Sequence, residues 1–151
     1  MLVKIYSDGS SRNNPGISGY GTILVAGNHR KQLSEGFQLS TNNRMELMGV
    51  IAGLEALKKD NLNVEITSDS KYVVDAVNKG WIFSWEKSKF KDRKNSDLWK
   101  RFLVAYRKHN VTMNWIKGHN DHPENERCDV LATTESGKNI SLLRIDEGYK
   151  S

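Results

Sequence analysis

The chain opens with the stretch LVKIYSDGS, Leu2 to Ser10, which predicts a short β-strand running into an acidic residue. Val3 and Ile5 favour strands, whereas the glycine after the acid and the Ser, Asn and Pro residues behind it interrupt the run. The strand is therefore predicted to end near Asp8. Taken alone, this carboxylate has an ordinary explanation as a strand-end acid, and it gains meaning only if other acids converge on it.

The residues that follow have the alternation of strands and then the spacing of a helix. Strand-like runs at 18–26 and 29–39 flank Gly27-Asn28, a suitable hairpin turn, so the first three strands are predicted to form an antiparallel meander. From Thr41, a reasonable N-cap, a helix is predicted to about Lys59. Its apolar residues fall at helical spacing, namely Leu47, Val50, Ile51, Leu54 and Leu57.

A fourth strand at 64–69 ends in a second acid, Asp69. Strand, helix and strand in succession predict that the fourth strand is parallel to the first. Asp8 and Asp69 are then expected at the same edge of the sheet, where ligand sites of α/β proteins usually form.

The rest of the chain continues this α/β pattern. A short helix breaks at Gly80, an aromatic and basic segment covers 81–95, and a helix at 97–109 precedes a fifth strand at 111–116. Pro123 suits the first position of a last helix, which carries Asp129. We expect one domain at 1–137, and a tail at 138–151 that either packs back on the domain or is mobile.

Composition excludes several classes of protein. The 151 residues are 37% hydrophobic and 27% charged, as in a globular domain, and no apolar run approaches the roughly 18 residues of a membrane span. The N-terminus lacks the layout of a signal peptide, and the single cysteine, Cys128, rules out an internal disulfide framework. These features predict a cytoplasmic protein with no membrane partner, and nothing in them indicates an oligomer.

The net charge of +5 comes from one segment of the chain. Nine basic residues stand against three acidic ones between Glu86 and Lys108, whereas 14 basic residues face 15 acidic ones elsewhere. This segment is either a solvated helix face or a phosphate-binding patch.

Four acids are candidates for a shared site, namely Asp8, Glu46, Asp69 and Asp129. Carboxylates so close together would repel one another unless they were protonated or bound to cations. Without a Cys or His cluster they suit Mg²⁺ or Mn²⁺, and two such ions about 4 Å apart can hold the attacking and leaving oxygens of a phosphodiester. The alternative is that they are caps and surface acids that never meet.

Four groups of residues carry a resemblance to a known family, and this resemblance decides between the two interpretations. They are Asp8-Gly9-Ser10 with Asn14-Pro15-Gly16, Thr41 to Leu47, Ser68-Asp69-Ser70 with Tyr72-Val73, and Lys117-Gly118-His119 with His122 to Asp129. In this order they resemble the ribonuclease H type 1 family, in its bacterial ribonuclease HI form, over nearly the whole chain.

The resemblance implies a ribonuclease H-like α/β fold: a five-stranded mixed sheet, three antiparallel strands and then parallel ones, with helices on both sides. It implies hydrolysis of the RNA strand of RNA–DNA hybrids by a two-metal-ion mechanism, giving 5′-phosphate and 3′-hydroxyl products. The four acids would bind the ions, with two Mg²⁺ (or Mn²⁺) expected when substrate is bound. His119 would assist proton transfer or product release.

The resemblance also implies substrate contacts. Asn14, Asn42 and Asn43 would lie near the scissile strand, where an amide can both donate to and accept from a 2′-hydroxyl, although Asn42 and Asn43 are also suited to capping the helix. Thr41 and Asn95 match a DNA-phosphate pocket. The position two before Thr41, often arginine in the family, is Leu39, so this pocket is expected to be weaker or to use another cation.

The segment 81–95 resembles the basic protrusion of the family, in a shorter form. Its aromatic side chains are expected either to stack against deoxyribose or to pack the protrusion on the body, and its lysines to add salt-sensitive affinity. The residues concerned are Trp81, Trp85, Lys87, Lys89, Phe90 and Lys91.

Three other functions share part of this pattern. A catalytically silent hybrid-binding domain would need the basic surface but not all four acids and His119, which are present. A resolvase or integrase core would lack both the tryptophan-rich protrusion and the Lys-Gly-His loop. A domain cut from a reverse transcriptase is the remaining alternative, and Met1 followed at once by the first strand favours a free-standing protein.

Overall fold

The sheet and its helices follow the predicted order along the chain. The computed structural model describes residues 2–118 and 122–150. The strands in these ranges are β1 (Leu2–Ser11), β2 (Gly16–Ala26), β3 (His29–Ser40), β4 (Asn63–Ser68) and β5 (Asn110–Trp115). The helices are α1 (Asn42–Glu55), α2 (Lys71–Asn78), α3 (Trp81–Lys87), α4 (Ser96–Tyr106) and α5 (Pro123–Ser136), with a 3₁₀ turn at Ile140–Leu142.

The five strands described lie in the order β3-β2-β1-β4-β5. The pairs β3–β2 and β2–β1 are antiparallel, because short connections join them, and β1–β4 and β4–β5 are parallel, because helices connect them. This arrangement confirms the mixed sheet expected from the sequence.

Helices cover both faces of the sheet. On β1, Ile5 packs beneath Gly53 of α1, while Tyr6, on the opposite face, contacts His122 at the start of α5 with ring centroids 5.3 Å apart. Most of α1 is buried, since α4 packs over it. The core is made by apolar side chains of these layers, including Ile5, Ile51 and Phe102.

The first strand does not end near Asp8, as the sequence predicted, but continues to Ser11. Its parallel pairing with β4 stops at Tyr6, whereas β2 remains a partner as far as the pair Ser11 and Ser18. Asp8 therefore lies where one neighbouring strand departs and the other continues. The glycine and serines behind it stay extended because β2 still satisfies their backbone.

Helix α1 is also shorter than predicted. It ends at Glu55 rather than near Lys59, and the backbone bond from Leu57 to Leu54 tightens its last turn. Among the described residues, no helix has both the length and the apolar character needed to cross a membrane.

Candidate active site

Three of the four predicted acids meet at the edge of the sheet. Asp8 lies on β1, Glu46 on α1, and Asp69 directly after β4. Each can offer an oxygen atom such that these ligand atoms all lie within 4.8 Å of one another. The parallel pairing of β1 and β4 brings the two aspartates together, and α1 contributes the glutamate from above the sheet.

The carboxylates of Asp8 and Glu46 are buried and share one backbone donor. The N–H of Gly9 donates to Oδ1 of Asp8 at 2.9 Å and to Oε1 of Glu46 at 3.0 Å. The second oxygen of Glu46, Oε2, is buried and accepts no hydrogen bond from the described part of the chain. A buried carboxylate oxygen without a donor is costly, and a cation would satisfy it.

Burial and mutual repulsion disfavour the charged forms of these acids. Burial raises the pKa of Asp8 to about 7; a hydrogen bond with Glu46 opposes the rise, and the negative charges of Asp69 and Asp129 add to it. Burial also raises the pKa of Glu46 well above its ordinary value, and the neighbouring Asp8 reinforces the effect. The cluster therefore retains protons near neutral pH unless positive charge is supplied.

Asp129 lies on the same cleft but outside the closest group of three. It lines a cleft of about 490 Å³ together with Asp8, Glu46 and Asp69. Helix α5 approaches β2 closely at Gly21, where an added Cβ would lie 2.4 Å from the carbonyl oxygen of Cys128. Because Gly21 pairs with Asp8, this close approach is what carries Asp129 toward the cluster.

The donor set fits a hard divalent cation. The described lining of the cleft offers carboxylate, amide and hydroxyl oxygens, with no histidine or cysteine among them. Such oxygen ligands are typical of Mg²⁺ and Mn²⁺ rather than of Zn²⁺. The buried Oε2 of Glu46, which has no hydrogen-bond partner in the part of the chain that the structure describes, supports this assignment independently of residue type.

A tryptophan that the sequence did not single out braces Asp69. The indole N–H of Trp115, at the end of β5, donates to the backbone carbonyl of Asp69 at 3.0 Å. The ammonium group of Lys71 lies 4.8 Å from the centre of the same ring, although Trp115 is 44% exposed. A tryptophan two residues before the predicted Lys-Gly-His loop was the available hint in the sequence.

His119 lies outside the described residues. Gly118, which precedes it, is described and lies against the Asp69 side chain, since an added Cβ would be 3.0 Å from Oδ2. The chain therefore enters the His119 loop directly beside the acidic cluster.

The predicted asparagines lie at the start of α1, beside the cleft. Asn42 and Asn43 are exposed and line it, and Asn14 Oδ1 accepts a hydrogen bond from the Asn42 N–H at 3.0 Å. The helix is capped by Thr41, whose hydroxyl accepts from the N–H of Arg44 at 3.2 Å. Thr41 and Asn14 thus satisfy the helix start, and the side chains of Asn42 and Asn43 are not needed as caps.

The predicted Thr41 and Asn95 lie together on a second cleft, of about 760 Å³. The side chain of Asn95 is already engaged there, since it accepts from Arg44 at 3.2 Å and donates to the Tyr72 hydroxyl at 3.0 Å. Leu39 is 48% exposed and is not part of the lining.

The aromatic residues of the protrusion differ in their exposure. Trp81 is 45% exposed beneath the ammonium group of Lys79, whereas Trp85 is held between Arg93 and Trp99. Phe90 is only 7% exposed, so its burial favours packing over stacking on a sugar. The predicted lysines all point to solvent, at positions Lys87, Lys89 and Lys91.

Sequence reasoning also missed the importance of Arg44. Its side chain, in the first turn of α1, is 2% exposed and is paired with Asp97 and Asp146. Arg44 precedes Leu47 and Ile51 at helical spacing, so a charged residue on an apolar helix face was a usable indication of a buried ion pair.

Comparison with known proteins places this geometry in a family. A family model described as RNase H matches residues 2–136. A ribonuclease H of Lachnoclostridium phytofermentans is 50% identical, covering 93% of this chain and 96% of its own, and one of Syntrophus aciditrophicus is 46% identical, covering 97% and 86%. The crystal structure of LC9-RNase H1, a type 1 RNase H with the type 2 active-site motif, superposes with a TM-score of 0.80 at 29% identity, covering 90% of this chain and 72% of that one.

Proposed function

The chain belongs to the ribonuclease H family of RNA–DNA hybrid endonucleases, and we propose that its hydrolytic centre is the cleft of Asp8, Glu46, Asp69 and Asp129. The observation that carries this proposal is the meeting of three carboxylates within 4.8 Å, two of them buried and one with an unpaired oxygen. Such a cluster is unfavourable in itself, and it becomes favourable when it binds cations.

The ions best suited to this cleft are Mg²⁺ and, as an alternative, Mn²⁺, with two bound when substrate is present. Bound there, they would activate the attacking water and offset the charge on the leaving 3′-oxygen, so that the products carry 5′-phosphate and 3′-hydroxyl ends. Asp8 would have the central role, since it belongs to the close group with Glu46 and Asp69 and lines the same cleft as Asp129. The Gly9 N–H fixes one oxygen each of Asp8 and Glu46 and leaves the others for ligands.

Residues around the cleft would hold the hybrid. Asn42 and Asn43 line the acidic cleft with exposed amides that can both donate to and accept from a 2′-hydroxyl of the RNA strand. Asn14 would support them through its bond to the Asn42 backbone. Thr41 and Asn95, on the second cleft, would lie along the other strand.

The protrusion would add affinity without sequence preference. Trp81 offers an exposed ring, and the lysines of the segment are free to approach phosphates. His119 would protonate the leaving oxygen or assist product release, since an imidazole side chain is a common proton donor in catalysis. Monomeric action in the cytoplasm stays a prediction from the sequence.

The proposal is tested by cleavage of RNA–DNA hybrid, double-stranded RNA and double-stranded DNA, each with Mg²⁺ and with EDTA. We expect cleavage of the hybrid alone, and only with the metal. Asp8→Asn should reduce the rate at least about a thousandfold, because several kcal/mol of transition-state stabilisation depend on the ions it binds.

Asp60→Asn is the matched control, since Asp60 is an exposed aspartate remote from the cleft, and its rate should equal that of the parent chain. Both variants should keep the circular dichroism spectrum of the parent. Metal-dependent hybrid cleavage by Asp8→Asn at the parental rate would contradict the assignment. Tight hybrid binding by the parent chain without cleavage would indicate the catalytically silent alternative.

A further inference from the structure

The C-terminal tail runs along the free edge of the sheet. The N–H of Arg144 donates to Gly36 of β3 at 2.9 Å, and its carbonyl accepts from Gln38 at 2.8 Å. Leu143 beside it is buried at 6% exposure. The tail therefore has a fixed path on the body up to this point.

A buried ion pair then anchors the tail to α1. Arg44 donates to both oxygens of Asp146, from Nε at 2.7 Å and from Nη2 at 2.9 Å, and the Ser40 hydroxyl adds a bond of 2.6 Å. The other side of the guanidinium contacts Asp97 at 2.8 and 2.9 Å. Burial acts to raise the pKa of Asp97, but the hydrogen bonds and charge of Arg44 outweigh it and lower that pKa.

Gly148 lets the chain cross directly over this ion pair. An added Cβ would lie 1.9 Å from Oδ2 of Asp97 and 2.7 Å from Nη2 of Arg44, so a larger residue would displace the tail. The N–H of Tyr149 donates back to the carbonyl of Asp146 at 3.2 Å, which turns the chain. The crossing delivers Tyr149 and Lys150 to the cleft that contains Thr41.

The positive charge of this cleft comes from the protrusion and the tail. Arg44 reaches its wall but is neutralised by two carboxylates, and Leu39 does not line it. Arg93, Lys94 and Lys150 line it and are exposed. Within the described ranges, neither Lys94 nor Lys150 has a salt-bridge partner. Unpaired exposed lysines around a concave surface are suited to a phosphate of a nucleic acid backbone.

We propose that the tail is part of the nucleic-acid-binding surface, and that Lys150, together with Lys94, binds a backbone phosphate of the hybrid in this cleft. The proposal rests on the proposed function, because it takes the hybrid as the ligand. Lys150 supplies from the tail a positive charge that residue 39 does not provide, and the anchor at Asp146 holds it in place.

The test measures binding of a labelled RNA–DNA hybrid in EDTA by fluorescence anisotropy, over a range of NaCl concentrations. Lys150→Gln should weaken binding roughly fivefold to tenfold near 0.1 M salt, and the slope of log K against log salt should fall by about 0.9, the value for one phosphate contact. A chain ending at Gly148 should lose at least as much, and it retains the anchor residue Asp146.

Lys59→Gln is the matched control. Lys59 is an exposed lysine beyond the far end of α1, and the 14 residues of that helix separate it by about 20 Å from the cleft. The hybrid affinity and the salt slope of Lys59→Gln should equal those of the parent chain. Lys150→Gln, the chain ending at Gly148 and Lys59→Gln should all keep the unfolding temperature of the parent chain. An unchanged salt slope in Lys150→Gln would overturn the proposal.

Two further measurements distinguish a nucleic acid phosphate from a free anion, and the role of the tail from the proposed function. Inorganic phosphate should compete with the hybrid no better than chloride at equal ionic strength; competition at millimolar phosphate would mean a site for free anions and would overturn the proposal. Cleavage by the parent chain is measured separately. If the parent chain cleaves the hybrid and Lys150→Gln binds it with parental affinity, only the proposed role of the tail is wrong. If the parent chain fails to cleave the hybrid, the proposed function is wrong.

Discussion

Asp8 and Glu46 are weaker acids in the folded protein than in an unfolded chain, because their surroundings raise the pKa of each. Both are buried, and they share the single N–H of Gly9. In the metal-free protein the pKa of Asp8 is about 7 and that of Glu46 is raised well above its ordinary value. The folded state therefore binds protons that the unfolded chain releases near pH 4.

This difference predicts that the metal-free protein loses stability as pH rises. A folded-state pKa above the unfolded value stabilises the protein fully below the unfolded pKa, and the stabilisation is lost as pH rises through the folded pKa. In EDTA, the free energy of unfolding should fall by about 1.4 kcal/mol per pH unit for each retained proton, between about pH 4 and 7. Urea unfolding across this range measures the slope.

Two controls accompany the pH series. Asp8→Asn should flatten the slope, because it removes one titrating group, and saturating Mg²⁺ should raise stability more at pH 8 than at pH 5, since the ion competes with protons. Stability that rises with pH in EDTA would show that these carboxyls are ionised in the folded state, contrary to the expectation.

At this scale the sequence predicted which acids to consider but not how they are held. The hydrophobic pattern placed Asp8 and Asp69 at strand ends and Glu46 near a helix start, and the resemblance to the ribonuclease H family singled them out as one site. The bond from Trp115 to Asp69 and the unpaired oxygen of Glu46 depend on how β5 and α1 pack on the sheet. No local pattern encodes that packing to within a hydrogen-bond length.

Among the elements, α1 connects the acidic cluster with the tail. One of its residues, Glu46, belongs to the cluster, and another, Arg44, holds Asp146. Both lie in the first two turns, next to the Thr41 cap. The position of this helix on the sheet thus fixes both clefts at once.

Asp146→Ala should therefore destabilise the protein by about 3 kcal/mol. Among the described residues, the substitution leaves a guanidinium that is 2% exposed with Asp97 as its one ionic partner, and removing one member of a buried pair typically costs 3–5 kcal/mol. Chemical denaturation of the two proteins measures the difference. Glu147→Ala, an exposed acid one residue further on, is the control and should change stability by less than about 0.5 kcal/mol.

A loss below about 1 kcal/mol for Asp146→Ala would mean that the tail detaches readily and lets water reach Arg44. In that case the salt slope of hybrid binding should also change, because Lys150 would lose its anchor.

The ends of helices and strands could be predicted where the spacing of apolar residues changes. They were harder to predict where contacts with other elements extend a helix or strand. The start of α5 at Pro123 is confirmed, since proline is suited to a first helical position. β1 continues beyond its apolar residues because β2 remains its partner. The path of the tail was left open, since its weak pattern does not reveal that the partner of Asp146 lies 102 residues earlier.

For the whole molecule, charge is the property that composition revealed best. The positive excess between Glu86 and Lys108 belongs to the protrusion and α4, whereas the acidic cleft lies at the edge of the sheet. A polyanion is attracted to the basic side and repelled by the metal-free cluster. Binding and catalysis should therefore respond differently to salt and to metal.

Replacing Lys87, Lys89 and Lys91 together by alanine should weaken hybrid binding and reduce its salt slope by up to about 2.7, if each lysine releases one counterion. All three are exposed and make no salt bridge with the described residues. Anisotropy titrations at several salt concentrations in EDTA measure both quantities.

The matched control removes the same net charge elsewhere, with alanine in place of Lys4, Lys31 and Lys59, which are exposed and lie outside both clefts. If the two triple variants show the same slope, the protrusion is not a specific phosphate contact and only net charge matters.

The anchoring of the tail has a consequence for how the chain folds during synthesis. The buried ion pair of Arg44 requires Asp146, which the ribosome adds 102 residues later. Until then a nascent chain can form the sheet and α1, but it holds a guanidinium in its interior with at most Asp97 as an ionic partner. We therefore expect the final closure of the fold to be a late event, which waits until Asp146 has left the ribosome and can reach Arg44.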